Sequence, residues 1–159
     1  MREHVLPPKV RRRFVATADG DHDGPIFPDQ AKEMALAGRD QFSVADLTCV
    51  TISNGFAYVT VILDAWSCRV VGYAIGRSID ARLALAALRA AITSRQPPPG
   101  CVHHSDRGSQ YAAEADRKLL AAHRTVGCMS RRGNLRIGEC RRLRHDGMSL
   151  KLVRPDLTL

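Results

Sequence analysis

Two runs rich in apolar and β-branched residues, Phe42 to Ile52 and Phe56 to Asp64, meet at Asn54-Gly55, and this junction constrains the chain more than any other feature. Asn-Gly suits a two-residue hairpin turn because both turn positions need positive φ. In the second run Phe56, Tyr58, Thr60 and Ile62 alternate with Ala57, Val59, Val61 and Leu63, which is the period of a strand. A long antiparallel hairpin is therefore expected. Trp66-Ser67-Cys68 turns the chain into a third strand, Arg69 to Ile75, ending at Gly76. Asp80 stands as a helix N-cap, and Leu83, Leu85, Leu88 and Ile92 recur near helical spacing until Pro97-Pro98-Pro99-Gly100 stops the helix. A short strand at Cys101-Val102-His103, a helix near Ala112 to His123 and a brief strand at Thr125 to Cys128 complete the pattern. Three meandering strands followed by alternating helices and short strands predict an α/β fold with a mixed sheet.

Two acids stand out against this frame. Asp46 lies inside the first run, where a buried charge costs several kcal/mol unless something pairs with it. Asp106 follows a short apolar strand in His103-His104-Ser105-Asp106-Arg107-Gly108-Ser109-Gln110-Tyr111, which ends the strand on a carboxylate and then turns at a glycine. On adjacent strands of one sheet, the two acids would share the cost of burial by sharing a divalent cation. The plainer alternative for Asp106 is a turn acid that caps the next helix. Asp64 ends the second strand just before Trp66-Ser67, where an Asp usually holds a turn by accepting backbone N–H bonds, so it is read as structural. Asp19, Asp21 and Asp23 have the spacing of a calcium loop but lack its Glu at the twelfth position.

The net charge of +8 is unevenly spread. Residues 1–20 hold five basic and two acidic side chains, residues 129–159 hold eight and three, and the 108 residues between hold eleven of each. A neutral core with basic ends fits a DNA-processing domain whose phosphate contacts come from flanking segments, with Arg11, Arg12, Arg13, Arg131 and Arg132 the leading candidates. At 159 residues the chain suits one core. No stretch has the eighteen or so apolar residues of a membrane span, and no signal peptide is evident at residues 1–4, so the expected location is the cytoplasm. The five cysteines are odd in number and not at zinc spacing, and are expected to be small buried residues in a reducing compartment.

Five segments, Val44-Ala45-Asp46-Leu47-Thr48, Val61 to Ser67, Arg69-Val70-Val71-Gly72-Tyr73, His103 to Tyr111, and Met129-Ser130-Arg131-Arg132-Gly133-Asn134, resemble successive signatures of the integrase-core transposases of the IS-three family of bacterial insertion sequences. The resemblance is collinear from about Arg11 to Asn134. It implies a ribonuclease-H-like fold and Asp-Asp-Glu chemistry, in which carboxylates hold two Mg²⁺ (or Mn²⁺) ions for DNA strand transfer. Asp46 and Asp106 would be the first two acids of the triad, with 59 residues between them. Arg107 and Gln110, in the turn after the second acid, would help to hold DNA, while His103 and His104 would flank the acid without doing chemistry. DNA, as transposon ends and target, is the implied partner, with self-association in a transposition complex.

The pattern breaks after Asn134. The family continues with an aromatic residue, Asp-Asn-Ala and a helical Glu, with thirty-five residues between the second Asp and that Glu. That spacing falls on Arg142, and the nearest acid, Glu139, has only 32 residues between itself and Asp106. Three residues are most of a helical turn, about 4.5 Å of rise. Residues 1–40 are accordingly expected to form a basic and polar linker arm, 41–134 an incomplete catalytic core, and 135–159 an Arg-rich tail without family resemblance. The family's upstream DNA-binding region is expected to be missing, and the copy to be a degenerate one with Glu139 a poor third ligand. The alternatives are a non-catalytic nucleic-acid-binding remnant and a stand-alone ribonuclease-H-like nuclease.

Overall fold

The computed structural model describes residues 26–31 and 34–130. The expected hairpin is formed by β1 (Phe42–Ile52) and β2 (Gly55–Asp64), which pair antiparallel from Ser43 opposite Asp64 to Ile52 opposite Gly55, so that its two-residue turn is Ser53-Asn54, one residue earlier than expected. Gly55 has a φ of 119°, which its missing Cβ makes cheap. The third strand, β3 (Val70–Gly76), lies antiparallel on the other side of β2. After α1 (Ala81–Arg95), β4 (Val102–Ser105) enters beside β1, and after α2 (Glu114–Ala122), β5 (Val126–Met129) pairs outside β4. Both late strands run parallel to their neighbours, so the sheet is mixed, as expected, with the order β3-β2-β1-β4-β5.

Asp80 caps α1 as expected, its carboxylate accepting the Leu83 N–H at 3.0 Å. The helix closes on Gln96, whose left-handed φ of 46° and N–H bond to the Ile92 carbonyl at 2.7 Å precede the proline run. Its buried stripe of Leu83, Ala84, Ala87, Leu88, Ala91 and Ile92 is rich in small residues, which lets the helix lie close to the sheet. At Gly72 of β3 an added Cβ would meet the Ala91 nitrogen at 2.5 Å and the Ala87 oxygen at 2.6 Å.

The pleat divides the core. On one side Ala45, Ile62 and Met129 join α1, Tyr111, Ala112 and Leu120 in one apolar cluster. On the other, Phe42, Val44, Val102 and Cys128 gather with Ala65, and Ala31, Met34 and Leu36 pack against them. The described part of residues 26–40 is thus docked on the sheet, where the sequence suggests a linker. Phe27 sits against Gly127, where a Cβ would lie 2.6 Å from its ring. Single apolar anchors without a period leave no strand or helix signature for a sequence reading to find.

Among the described cysteines, Cys101 and Cys128 are buried as expected, whereas Cys49 is exposed and Cys68 intermediate; all four are free thiols.

Candidate metal centre

Phe42, Ser43 and Val44 of β1 stand opposite Val102, His103 and His104 of β4 in parallel register. Asp46 lies two residues beyond Val44 in β1, and Asp106 directly follows Ser105, the last residue of β4. Neighbouring strands lie about 4.8 Å apart, so acids placed this way on paired strands can approach one small cation. Their electrostatics agree. Burial raises the Asp46 carboxyl above its ordinary range, the Leu47 N–H hydrogen bond draws it down, and the charge of Asp106 pushes it up again. Asp106 is likewise raised by burial, and lowered by a 2.9 Å hydrogen bond from the Gly108 N–H and by His104.

The turn after β4 explains its glycine. The Gly108 N–H donates to Asp106 Oδ1, the Gly108 carbonyl accepts the Tyr111 N–H at 3.0 Å, and a Cβ on Gly108 would fall 2.3 Å from the Gln110 amide. Gln110 is therefore buried, with its amide against Gly108, whereas Arg107 is partly exposed directly beside Asp106. Arg11, Arg12, Arg13, Arg131, Arg132 and Glu139 lie outside the described residues. Two hard oxygen donors so near each other fit a divalent cation of the magnesium class, which takes one or two carboxylates and fills its other positions with substrate oxygens and water.

Asp64, by contrast, is a turn acid. Its carboxylate accepts the Asp40 N–H at 2.9 Å, the Ser67 N–H at 2.8 Å and the Ser67 hydroxyl, which ties it into the turn through both oxygens. Asp40 in turn receives both Arg95 donors at 2.8 Å, tying the end of α1 to the start of β1. His103 and His104 are buried. Burial, with the neighbouring His104 second, lowers His103 to a pKa of about 4, and Ser43 Oγ lies 3.0 Å from its Nδ1.

The sequence reading missed Asp116. It sits on the buried face of α2 at 3% exposure, its Oδ2 without a hydrogen-bond partner, and burial raises its pKa to about 7 against the weaker pull of Arg89. Its position four residues before the buried Leu120 is the signal that places it on the inner face. Tyr111 is also buried, and its hydroxyl is held in the protonated form first by burial and then by Asp106, Asp46 and Asp116.

The integrase core domain family (rve) matches residues 38–135. The chain is similar to an "Insertion element IS600 uncharacterized 31 kDa protein" of Shigella sonnei, with 39% identity over 127 residues covering 79% of this chain and 47% of that protein. It is also similar to "Transposase InsF for insertion sequence IS3A" of Escherichia coli (strain K12), with 30% identity over 134 residues covering 84% of this chain and 46% of that one. The chain thus spans about half the length of the curated relatives it matches. Among solved structures, the simian T-cell lymphotropic virus intasome in complex with PP2A regulatory subunit B56 gamma superposes with a TM-score of 0.55 at 16% identity, covering 72% of this chain and 38% of that one. The HTLV-2 integrase catalytic core domain in complex with magnesium, in its dimeric form, gives 0.51 at 13%, covering 58% of this chain and 61% of that one. Likeness at such low identity shows the fold, and it is the ribonuclease-H-like fold expected.

Proposed function

We propose, since the chain belongs to the integrase core domain family, that it provides the metal-dependent catalytic core of an insertion-sequence transposase, acting on DNA at transposon ends. The observation that carries this reading is that Asp46 in β1 and Asp106, just past the end of β4, lie near enough for the charge of Asp106 to raise the Asp46 carboxyl. Their carboxylates would hold Mg²⁺ or Mn²⁺, the first named because a viral relative in fold was solved with magnesium. A cation there supplies Lewis-acid activation and charge neutralisation for phosphoryl transfer.

The protein's own part is to hold the acids in place. Asp46 is fixed within the paired stretch of β1 and β2, opposite Val61. Asp106 is aimed by the Gly108 N–H, in a turn that the buried Gln110 and Tyr111 anchor. Arg107, partly exposed next to Asp106, would meet a DNA phosphate beside the acids. Gln110 serves that contact indirectly, by filling the turn beneath it. The runs Arg11 to Arg13 and Arg131-Arg132 add sequence-independent phosphate attraction. Self-association is proposed from the dimeric and trimeric forms named for the viral cores. No helix among the described residues is long and apolar enough to cross a membrane, and the proposed place of action is the bacterial nucleoid.

A second reading, a non-catalytic DNA-binding form of the same core, is favoured by one observation. The position at full family spacing holds Arg142, and Glu139 falls three residues short of it. The experiment is a gel assay with Mn²⁺ and a labelled, pre-cut transposon end. It compares the chain, its Glu139→Gln variant, and a chain whose residues 135–159 are replaced by a family-like segment with Glu at full spacing, each alone and joined to a relative's upstream region. The decay account expects joining only from the repaired and joined protein. Joining by the unmodified chain that is lost in Glu139→Gln would show that the short spacing works. No activity in any form would count against a catalytic core.

A further inference from the structure

We propose that Asp29, His104 and Cys128 form a second cation site, of the thiolate, imidazole and carboxylate kind that takes Zn²⁺, separate from the Asp46–Asp106 pair. His104 and Cys128 are direct partners across β4 and β5, which places their side chains next to each other on one face of the sheet. His104 Nδ1 lies 3.0 Å from Cys128 Sγ. Asp29 arrives from the segment that lies over this face, and one ligand atom from each of the three residues falls within 4.8 Å of the others. Four-coordinate zinc with ligands of this kind needs neighbouring donor atoms roughly 3.5 Å apart, so small side-chain rotations convert the cluster into a coordination shell.

Three observations argue for a cation rather than for packing alone. Burial, and more weakly Asp29, raise the Cys128 thiol, so the metal-free sulfur keeps its proton, while the N–H bonds that the sulfur accepts from Gln30, at 3.2 Å, and from Ala31 oppose that rise and would support a thiolate on a cation. Asp29 Oδ1 is buried without a hydrogen-bond partner, a costly state beside an electron-rich sulfur unless a proton or a cation bridges them. The ring of His104 is held by stacking on Phe42, with centroids 5.7 Å apart, so Nδ1 stays turned toward the sulfur. Soft sulfur and imidazole select zinc-class ions over Mg²⁺, which prefers all-oxygen shells. Binding releases the Cys128 thiol proton to solvent and leaves a fourth position for water.

A nucleophilic Cys-His-Asp arrangement is disfavoured by access, because Cys128 is only 1% exposed. The function that fits is a clamp. It would tie the segment holding Asp29 to β4 and β5, two residues before β4 delivers Asp106.

The test is titration of the metal-free full chain with Co²⁺, which reports thiolate ligation as near-ultraviolet charge-transfer absorption. We expect absorption that saturates at one equivalent, is displaced by equimolar Zn²⁺ and resists a large excess of Mg²⁺. It should be lost in Cys128→Ser and retained in Cys140→Ser, in Cys101→Ser and in the Asp46→Asn/Asp106→Asn double variant. Asp29→Asn, on an irregular segment outside the sheet, should weaken binding by at least about tenfold while leaving the metal-free melting curve intact. Absence of the band, its survival in Cys128→Ser, or unchanged affinity in Asp29→Asn would overturn the site.

Discussion

Asp106, directly after the last residue of β4, lies near enough to Asp46 in β1 for its charge to raise the Asp46 carboxyl, just beyond the point where Val44 pairs with His104. Burial raises both carboxyls, and Asp106 raises Asp46 further. A carboxyl whose folded value lies above its unfolded one binds protons more tightly when folded. Its stabilising share is therefore present at low pH and is lost as pH rises through the raised value. At neutral pH and without metal the ionised pair destabilises the sheet. Asp46→Asn should accordingly raise the metal-free stability by on the order of 1 kcal/mol, a few degrees in Tm, measured by thermal melting in a chelator. A lower Tm would mean that the Asp46 carboxylate is satisfied by the protein itself.

Asp116 offers a second titration, on the helix side of the sheet. Its folded pKa of about 7 lies above its ordinary 3.8, so its contribution to stability should fall as pH rises across that interval and level off above it. Asp116→Asn should flatten this part of the stability–pH curve and melt higher than the parent at pH 8. Urea denaturation at pH 4, 6 and 8 checks it. Parallel curves for the two proteins would show that Asp116 ionises freely in the native state.

The closeness of α1 and β3 makes Gly72 intolerant. With backbone atoms at 2.5 and 2.6 Å from any added Cβ, Gly72→Ala must push the helix off the sheet, at a cost of about 2–3 kcal/mol. Gly55→Ala, where nothing lies within 4 Å, should cost less, and only through its positive φ. Comparing the two by chemical denaturation separates crowding from backbone strain. Equal losses would contradict the packing account.

Much of this architecture is legible in the chain because local chemistry and tertiary structure agree there. The Asn54-Gly55 signal announces the hairpin, although the two-residue turn is Ser53-Asn54 with Gly55 already opposite Ile52; Asp80 caps α1, and Asp46 lies inside β1 while Asp106 follows the end of β4. Disagreement begins where polar residues are buried. β4 runs on to Ser105 because His103, His104 and Ser105 are all buried, although their polarity makes the strand look finished at His103. The second helix starts at Glu114, later than Ala112, behind an Ala113 that has no side chain to cap it. The grouping of Asp29, His104 and Cys128 had no sequence signal, since the residues meet only once an irregular segment folds over two parallel strands. Gln110 shows the same limit in reverse: its polarity suggests a DNA contact, yet its place against Gly108 buries it.

The basic ends bear on nucleic-acid binding. Removing residues 131–159, which hold eight basic and three acidic side chains, should remove much of the duplex-DNA affinity. What the full chain binds it should bind with little sequence preference and with a steep loss on raising salt. Fluorescence anisotropy between low and physiological salt checks both expectations. Affinity that is insensitive to salt, or unchanged by the deletion, would move the contact surface onto the neutral core.

The most direct measurement is Mn²⁺ binding followed by electron paramagnetic resonance, in a Cys128→Ser background so that the second cluster has lost its sulfur ligand. The free-ion signal should fall as protein is added, and the same binding should raise Tm by mass action on the native state. Asp46→Asn and Asp106→Asn should each weaken binding strongly, and the double variant should abolish it with the fold intact. Mn²⁺ binding that survives the double replacement, or no binding by the parent at millimolar metal, would contradict a cation held between Asp46 and Asp106.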